Sequence, residues 1–224
     1  VSLHHSNPTQ TGETPSMSRW IVASSNQGKM AEMTHWFRDK PVSLIGQTAL
    51  GILDAEETGK SFVENALLKA RHAAHHSGLP ALADDSGLVV DALQGAPGLL
   101  SARYSGTHGD AQGNIDKLLS NLSGLPEQHR SAYFYSVIVL LRHANDPAPL
   151  IAEGIWHGRI LEQRLGTSGF GYDPVFYVPS HACSAAQLNT EVKNKISHRG
   201  QALAMLWATW NAYMAKQARV STQP

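Results

Sequence analysis

The sequence predicts an α/β fold built on a mixed β-sheet, and three observations carry that expectation. From Trp20 to Val90 short apolar runs alternate with helical patterns. Two long apolar stretches then follow each other closely, Ala132 to Arg142 and Leu150 to Leu165. Turn-forming Asn145, Asp146 and Pro147 lie between them. Long strands joined by a short turn pair antiparallel, whereas strands separated by helices pair parallel, so one sheet must contain both kinds of neighbour.

Taken in order, Trp20 to Ala23 reads as a strand, Ser24 to Lys29 as a polar loop, and Met30, Met33, Trp36 and Phe37 as the apolar face of a helix. Val42 to Ile45 is a second strand. Ser61 with Glu64 forms a capping-box signature before a helix carrying Phe62, Ala66, Leu67 and Ala70, which runs to about Ser77 and stops at Gly78. Pro80 to Ala83 is a short strand expected to deliver Asp84, Asp85, Ser86 and Gly87 at its tip, with Leu88 to Val90 extended again. A Gly- and Pro-containing loop spans Gly95 to Gly109, and a helix follows from Ala111 to Leu122. The last helix starts near Ser197 or His198 and turns Leu203, Leu206, Trp207 and Trp210 inward. Val1 to Ser16 is polar, contains Pro8, Gly12 and Pro15, and reads as a disordered extension; residues 17–224 form one domain.

Composition narrows the function. Eighteen basic residues balance eighteen acidic ones, which argues against a surface for polymeric nucleic acid, although a small polyanion needs only a few local cations. The single cysteine, Cys183, cannot form an internal disulfide and suits a reducing cytoplasm. No run reaches the roughly 18–20 apolar residues of a membrane span.

Four clusters offer chemistry. In Ser24-Ser25-Asn26-Gln27-Gly28-Lys29, small polar residues and Gly28 let backbone N–H groups converge at a helix start while Lys29 adds a cation, a phosphate cradle or an ordinary turn. It is not a Walker loop, because the first glycine is missing and Met30 stands where Ser or Thr would meet magnesium. Asp84 and Asp85 would repel each other without a cation, so they suit Mg²⁺, a hard ion that takes carboxylate oxygens; the alternative is a capped turn. Glu56 and Glu57 supply a second acidic pair, and Lys69 is within helical reach of a phosphate. In Gly169-Phe170-Gly171-Tyr172-Asp173-Pro174, glycines flank a ring on which a planar ligand can stack, or mark a hairpin turn. Lys193 with Ser197-His198-Arg199 sets cationic and planar donors at a helix start, or simply caps it. His72, His75 and His76 share helical faces but lack an obvious third zinc ligand, so they read as a solvated face.

Together with Glu56-Glu57-Thr58-Gly59, Ser61 to Ala66, Ala83 to Leu88, Pro97-Gly98 and Ser101-Ala102-Arg103-Tyr104, these motifs closely resemble the bacterial inosine/xanthosine triphosphate pyrophosphatases. That family acts on non-canonical purine nucleotides and includes eukaryotic inosine triphosphatase. The resemblance runs from about Arg19 to Tyr213. It implies an elongated mixed sheet flanked by helices, two lobes around a central cleft, and a homodimer. It also implies Mg²⁺-dependent hydrolysis of inosine, deoxyinosine or xanthosine triphosphate to the monophosphate and pyrophosphate.

Carried over by position, Ser24, Ser25, Asn26, Gln27, Gly28, Lys29 and Lys69 would hold the triphosphate. Asp85 and one glutamate of the Glu56-Glu57 pair, with Glu57 preferred, would bind the metal, and Asp85 would act as general base. Ser86 would contact substrate; Phe170, Gly171, Tyr172, Asp173 and Lys193 would line the nucleoside pocket; His198 and Arg199 would read the purine. Ser24 replaces a threonine common in relatives and keeps the hydroxyl. The rivals are a pyrophosphatase for pyrimidine nucleotides, which a panel of bases would separate, and a nucleotide sensor without turnover, which a paired carboxylate facing a polyanion disfavours.

Overall fold

The computed structural model describes residues 17–221, so the extension expected over 1–16 lies outside the described residues. Seven strands form one sheet: β1 (Ser18–Val22), β2 (Val42–Gly46), β3 (Ala81–Val90), β4 (Ser131–Leu141), β5 (Leu150–Ile160), β6 (Phe176–Val178) and β7 (Cys183–Ser184), in the order β2-β1-β3-β4-β5-β6-β7. β1 pairs parallel with β2 and β3, and every later neighbour is antiparallel. The mixed sheet expected from the sequence is present. Five α-helices accompany it: α1 (Gln27–Phe37), α2 (Phe62–Ser77), α3 (Ala111–Asn121), α4 (Thr190–Ile196) and α5 (His198–Ser221). Among the described residues no helix is long and apolar enough to cross a membrane.

Local chemistry explains the helix bounds. The Asn26 side chain accepts the Lys29 N–H and caps α1. At α2 the Ser61 hydroxyl accepts the Glu64 N–H, and the Glu64 carboxylate reaches back to the Lys60 N–H and the Ser61 hydroxyl. Gly78, in the left-handed region at φ 68°, ends α2 where the sequence places the stop.

Two expectations are corrected. The tip of a short strand proves to be the middle of a ten-residue one: β3 pairs with β4 residue by residue from Ala81 to Val90, so Asp84 and Asp85 sit inside a continuous ladder. The stretch from Leu150 leaves the sheet at Ile160 instead of Leu165: the Leu161 N–H makes one last bond in the β6 register, to the Val175 carbonyl, beyond which no strand pairing continues.

Three apolar clusters fill the core. One joins α1 and α5 to one face of β1 and of the adjoining parts of β3, β4 and β5; a second packs α2 on the opposite face; a third holds the far ends of β3, β4 and β5 with α3 and the segment 172–185. Between them runs a belt of polar and small residues in register, with Ser86 opposite Ser136 and Ser136 opposite Gly154. Gly154 has no side chain because α5 lies directly on it: a Cβ there would strike the backbone carbonyl of His198.

Candidate active site

β1 pairs with β3 only at Ala81 and Leu82, so β3 continues past the point where the chain leaves β1 for the loop 23–26. β2 lies on one side of β1 and β3 on the other, which makes the carboxyl end of β1 the switch point of the parallel part, where open α/β sheets place their ligand crevice. The strand pleat then separates the acidic pair. Asp84 follows Leu82 onto the face of α1 and α5, and Asp85 follows Ala83 onto the face of α2. Each carboxylate meets its own cation, so the repulsion expected between them is relieved by geometry as well as by charge.

On the α2 face, the Lys69 ammonium stands 2.6 Å from Asp85 Oδ1 and 3.0 Å from Glu57 Oε1, and Arg103 Nη1 lies 3.4 Å from Glu57 Oε2. Burial pushes the Asp85 carboxyl up against the pull of Lys69 and Lys29. Burial also opposes the charge on Lys69, but Asp85 and Glu57 override it and hold its pKa above the ordinary value. Glu56 is exposed and stands outside this group.

On the α1 and α5 face, Asp84 is fully enclosed. It receives Lys29 Nζ at 2.7 Å, Arg199 Nη2 at 3.2 Å, and the hydroxyls of Ser136 at 2.5 Å and Ser86 at 3.0 Å. Burial alone would raise its pKa, but Arg199 and Lys29 hold it well below the usual carboxylate range. The other end of the Arg199 fork meets Glu32, which also accepts Lys193 Nζ at 3.0 Å; Lys193 in turn lies 2.6 Å from Asp173. An ionic chain therefore runs from Lys29 through Asp84, Arg199, Glu32 and Lys193 to Asp173.

The loop 24–28 spends much of its side-chain capacity on itself. Ser24 Oγ accepts the Asn26 N–H, and the Ser25 hydroxyl donates to Asp54 at 2.5 Å. Gln47, buried at the end of β2, holds the other oxygen of Asp54. What the loop leaves for an anion is the N-terminal N–H groups of α1, around Gln27 and Gly28. Gly28 is a glycine because the Phe170 ring rests on it: a Cβ would lie 2.7 Å from that ring. The same ring sits 4.9 Å from Lys193 Nζ and 5.7 Å from the Arg199 guanidinium carbon.

The structure thus gathers Ser24 to Lys29, Lys69, Asp85, Ser86, Glu57, Phe170, Asp173, Lys193 and Arg199. Gly171 turns the chain after Phe170 at φ 60°. Tyr172 is not among them: its ring belongs to the third apolar cluster and its hydroxyl donates to the Ser101 carbonyl. His198 lies one residue from the ionic chain with its ring stacked on Phe134, centroids 4.8 Å apart, and burial drives its pKa down to about 3. Arg199, expected at the purine, has both terminal nitrogens bonded to Glu32, Asp84 and Ser86. Sequence reading missed Glu32 and Asp54 as site residues. Glu32 carried a usable signal, one helical turn beyond Gly28 and Lys29 on the same face. His72 bonds the Leu53 carbonyl and packs on His76, and among the described residues no three metal-type ligands gather.

Fold and site together define an α/β protein with a dense ionic cluster at the switch point of a mixed sheet. The chain belongs to the Ham1 family, whose model matches residues 20–209. A dITP/XTP pyrophosphatase from Xanthomonas campestris pv. campestris is 55% identical over 190 residues, covering 85% of this chain and 96% of that relative. Another from Yersinia pseudotuberculosis is 52% identical over the same shares. The solved HAM1 protein of Coxiella burnetii superposes with a TM-score of 0.80 at 50% identity, covering 88% of this chain and 100% of that one.

Proposed function

We propose that this chain is a Mg²⁺-dependent nucleoside triphosphate pyrophosphatase that clears deaminated purine nucleotides, such as the inosine and xanthosine triphosphates, from the nucleotide pool. Family membership and the relatives' activity as dITP/XTP pyrophosphatases support the reaction. The observation that carries it is the convergence of Asp85 and Glu57 on one cation, Lys69, beside the N-terminus of α1.

Two carboxylate oxygens that close on an ammonium form a donor set of the kind a hard divalent ion takes. When bound, such an ion supplies Lewis acidity and charge neutralisation at the phosphoryl oxygens. The remaining work falls to the chain. The N–H groups at Gln27 and Gly28, with Lys29 and Lys69, hold the triphosphate. Asp85, its pKa raised by burial, takes a proton from the attacking water. The water oxygen bonds to the α-phosphorus, the bond from that phosphorus to the α–β bridging oxygen breaks, and pyrophosphate leaves. Phe170 offers the stacking face for the base, with Lys193 and Arg199 beside it.

Reading of the purine by Arg199 requires it to turn a donor away from Glu32, Asp84 or Ser86 toward the base; because arginine only donates, that donor pairs with a 6-carbonyl and not with the 6-amino group of adenine, so adenosine triphosphate is a poor substrate on this reading. The expected assembly is a homodimer in a reducing cytoplasm, with no nucleic-acid or membrane partner. Asp85→Asn tests the chemistry: turnover falls far more than affinity for inosine triphosphate measured without metal, since an amide fits the place but takes no proton. Equal losses in the two would reduce Asp85 to a holding role.

A further inference from the structure

Lys69 stands where the function just proposed requires a metal. Its ammonium lies within hydrogen-bond distance of Asp85 and Glu57 together, and its side chain is only 12% exposed. A divalent ion held by these two carboxylates would need the place that the ammonium takes between them. Two cations cannot share that point, because the charges repel and burial denies them screening. The ammonium must move, and wherever it goes it needs an acceptor.

The protein's neighbouring carboxylate is already taken: Asp84 is bonded to Lys29, Arg199, Ser86 and Ser136. A triphosphate lying between Lys29 and Lys69 is the acceptor that arrives from outside. The four-carbon stem of lysine lets its point charge swing between partners without loss of geometry, as a rigid guanidinium fork could not.

We propose that Lys69 is an exchangeable counter-ion that makes metal and triphosphate bind as one event: the metal takes the carboxylates from Lys69 as the phosphates take Lys69 from the carboxylates. This rests on the assignment of Asp85 and Glu57 to the metal. It gives Lys69 two jobs in sequence. It neutralises the acidic pair before substrate arrives, and afterwards it neutralises the leaving phosphates. It also makes the protein a poor binder of free metal, so that the metal–nucleotide complex is the form it captures.

Mn²⁺ alone is the probe, with the free ion counted by electron paramagnetic resonance during titration of the whole chain. The wild type binds Mn²⁺ weakly. Lys69→Met, shown to be folded by circular dichroism, tightens it by a factor in the ordinary range of site coupling, about 5–150-fold. Lys69→Arg, which keeps the charge, stays as weak as the wild type. The tightening disappears when Asp85→Asn is added to Lys69→Met. Equal or weaker Mn²⁺ binding by Lys69→Met overturns the exchange and leaves the metal assignment standing, provided Asp85→Asn still abolishes binding. If Asp85→Asn changes nothing in either background, the metal assignment falls with it. A second measurement needs no variant: the wild type should bind the Mn²⁺ complex of inosine triphosphate with a methylene α–β bridge more tightly than Mn²⁺ alone. Equal binding of the two contradicts the proposal.

Discussion

Arg199 is the residue on which the site's internal balance turns. It is almost fully buried and joins the enclosed Asp84 to the partly buried Glu32, two carboxylates from different elements. Removing one partner of a buried ionic group strands the others, at a typical cost of about 3–5 kcal/mol. Arg199→Ala should therefore lose stability on that scale in chemical denaturation, beyond any change in base preference, and a loss under about 1 kcal/mol would contradict the role of this network. Asp85, Glu57 and the loop 24–29 were legible because they lie in contiguous motifs, and Lys69 because it stands on the helix that opens with one of them. The helical spacing places Glu32 on the face of Gly28 and Lys29, but its pairing with Lys193 and Arg199, 161 and 167 residues away, was not legible, because no local pattern encodes such a meeting.

At the scale of elements, α1 is the piece that joins the two halves of the site. Its first turn forms the anion end, Gly28 receives the Phe170 ring, and Glu32 receives Lys193 and Arg199. Gly28→Ala should push that ring out of place; overpacking of this kind costs roughly 1–3 kcal/mol. The expected readout is a raised KM for inosine triphosphate with a smaller change in kcat, and unchanged kinetics would show that the Phe170 ring is not held by this contact. Gly154→Ala is the harsher change, because the obstacle is the backbone of α5 rather than a side chain. It should fall at or above the top of the same range, roughly 3 kcal/mol, by thermal or urea unfolding. β3 was read too short and β5 too long, whereas the long helices and β4 were legible from periodicity, and both caps of α2 fall where the sequence puts them. β6, β7 and α4 were not, because strands of two or three residues and a seven-residue helix carry too few periods of their own and exist through pairing and packing against distant segments.

Across the whole molecule, the polar belt through β3, β4 and β5 sets opposed charges between apolar clusters, and His198 sits neutral at its edge. Its folded pKa, about 3, lies below the ordinary 6.5, so the folded state binds fewer protons than the unfolded one. Stability is then full above pH 6.5 and is lost as the pH falls toward 3, by a few kcal/mol at most. His198→Phe, which keeps the stack on Phe134, should flatten that part of the acid-unfolding curve; an unchanged curve would place the acid sensitivity elsewhere. The central claim concerns which bond breaks, and product analysis tests it most directly. With inosine triphosphate and Mg²⁺, the account predicts inosine monophosphate and pyrophosphate in equal amounts as the first products, with adenosine triphosphate hydrolysed far more slowly. Inosine diphosphate and orthophosphate as first products would contradict it.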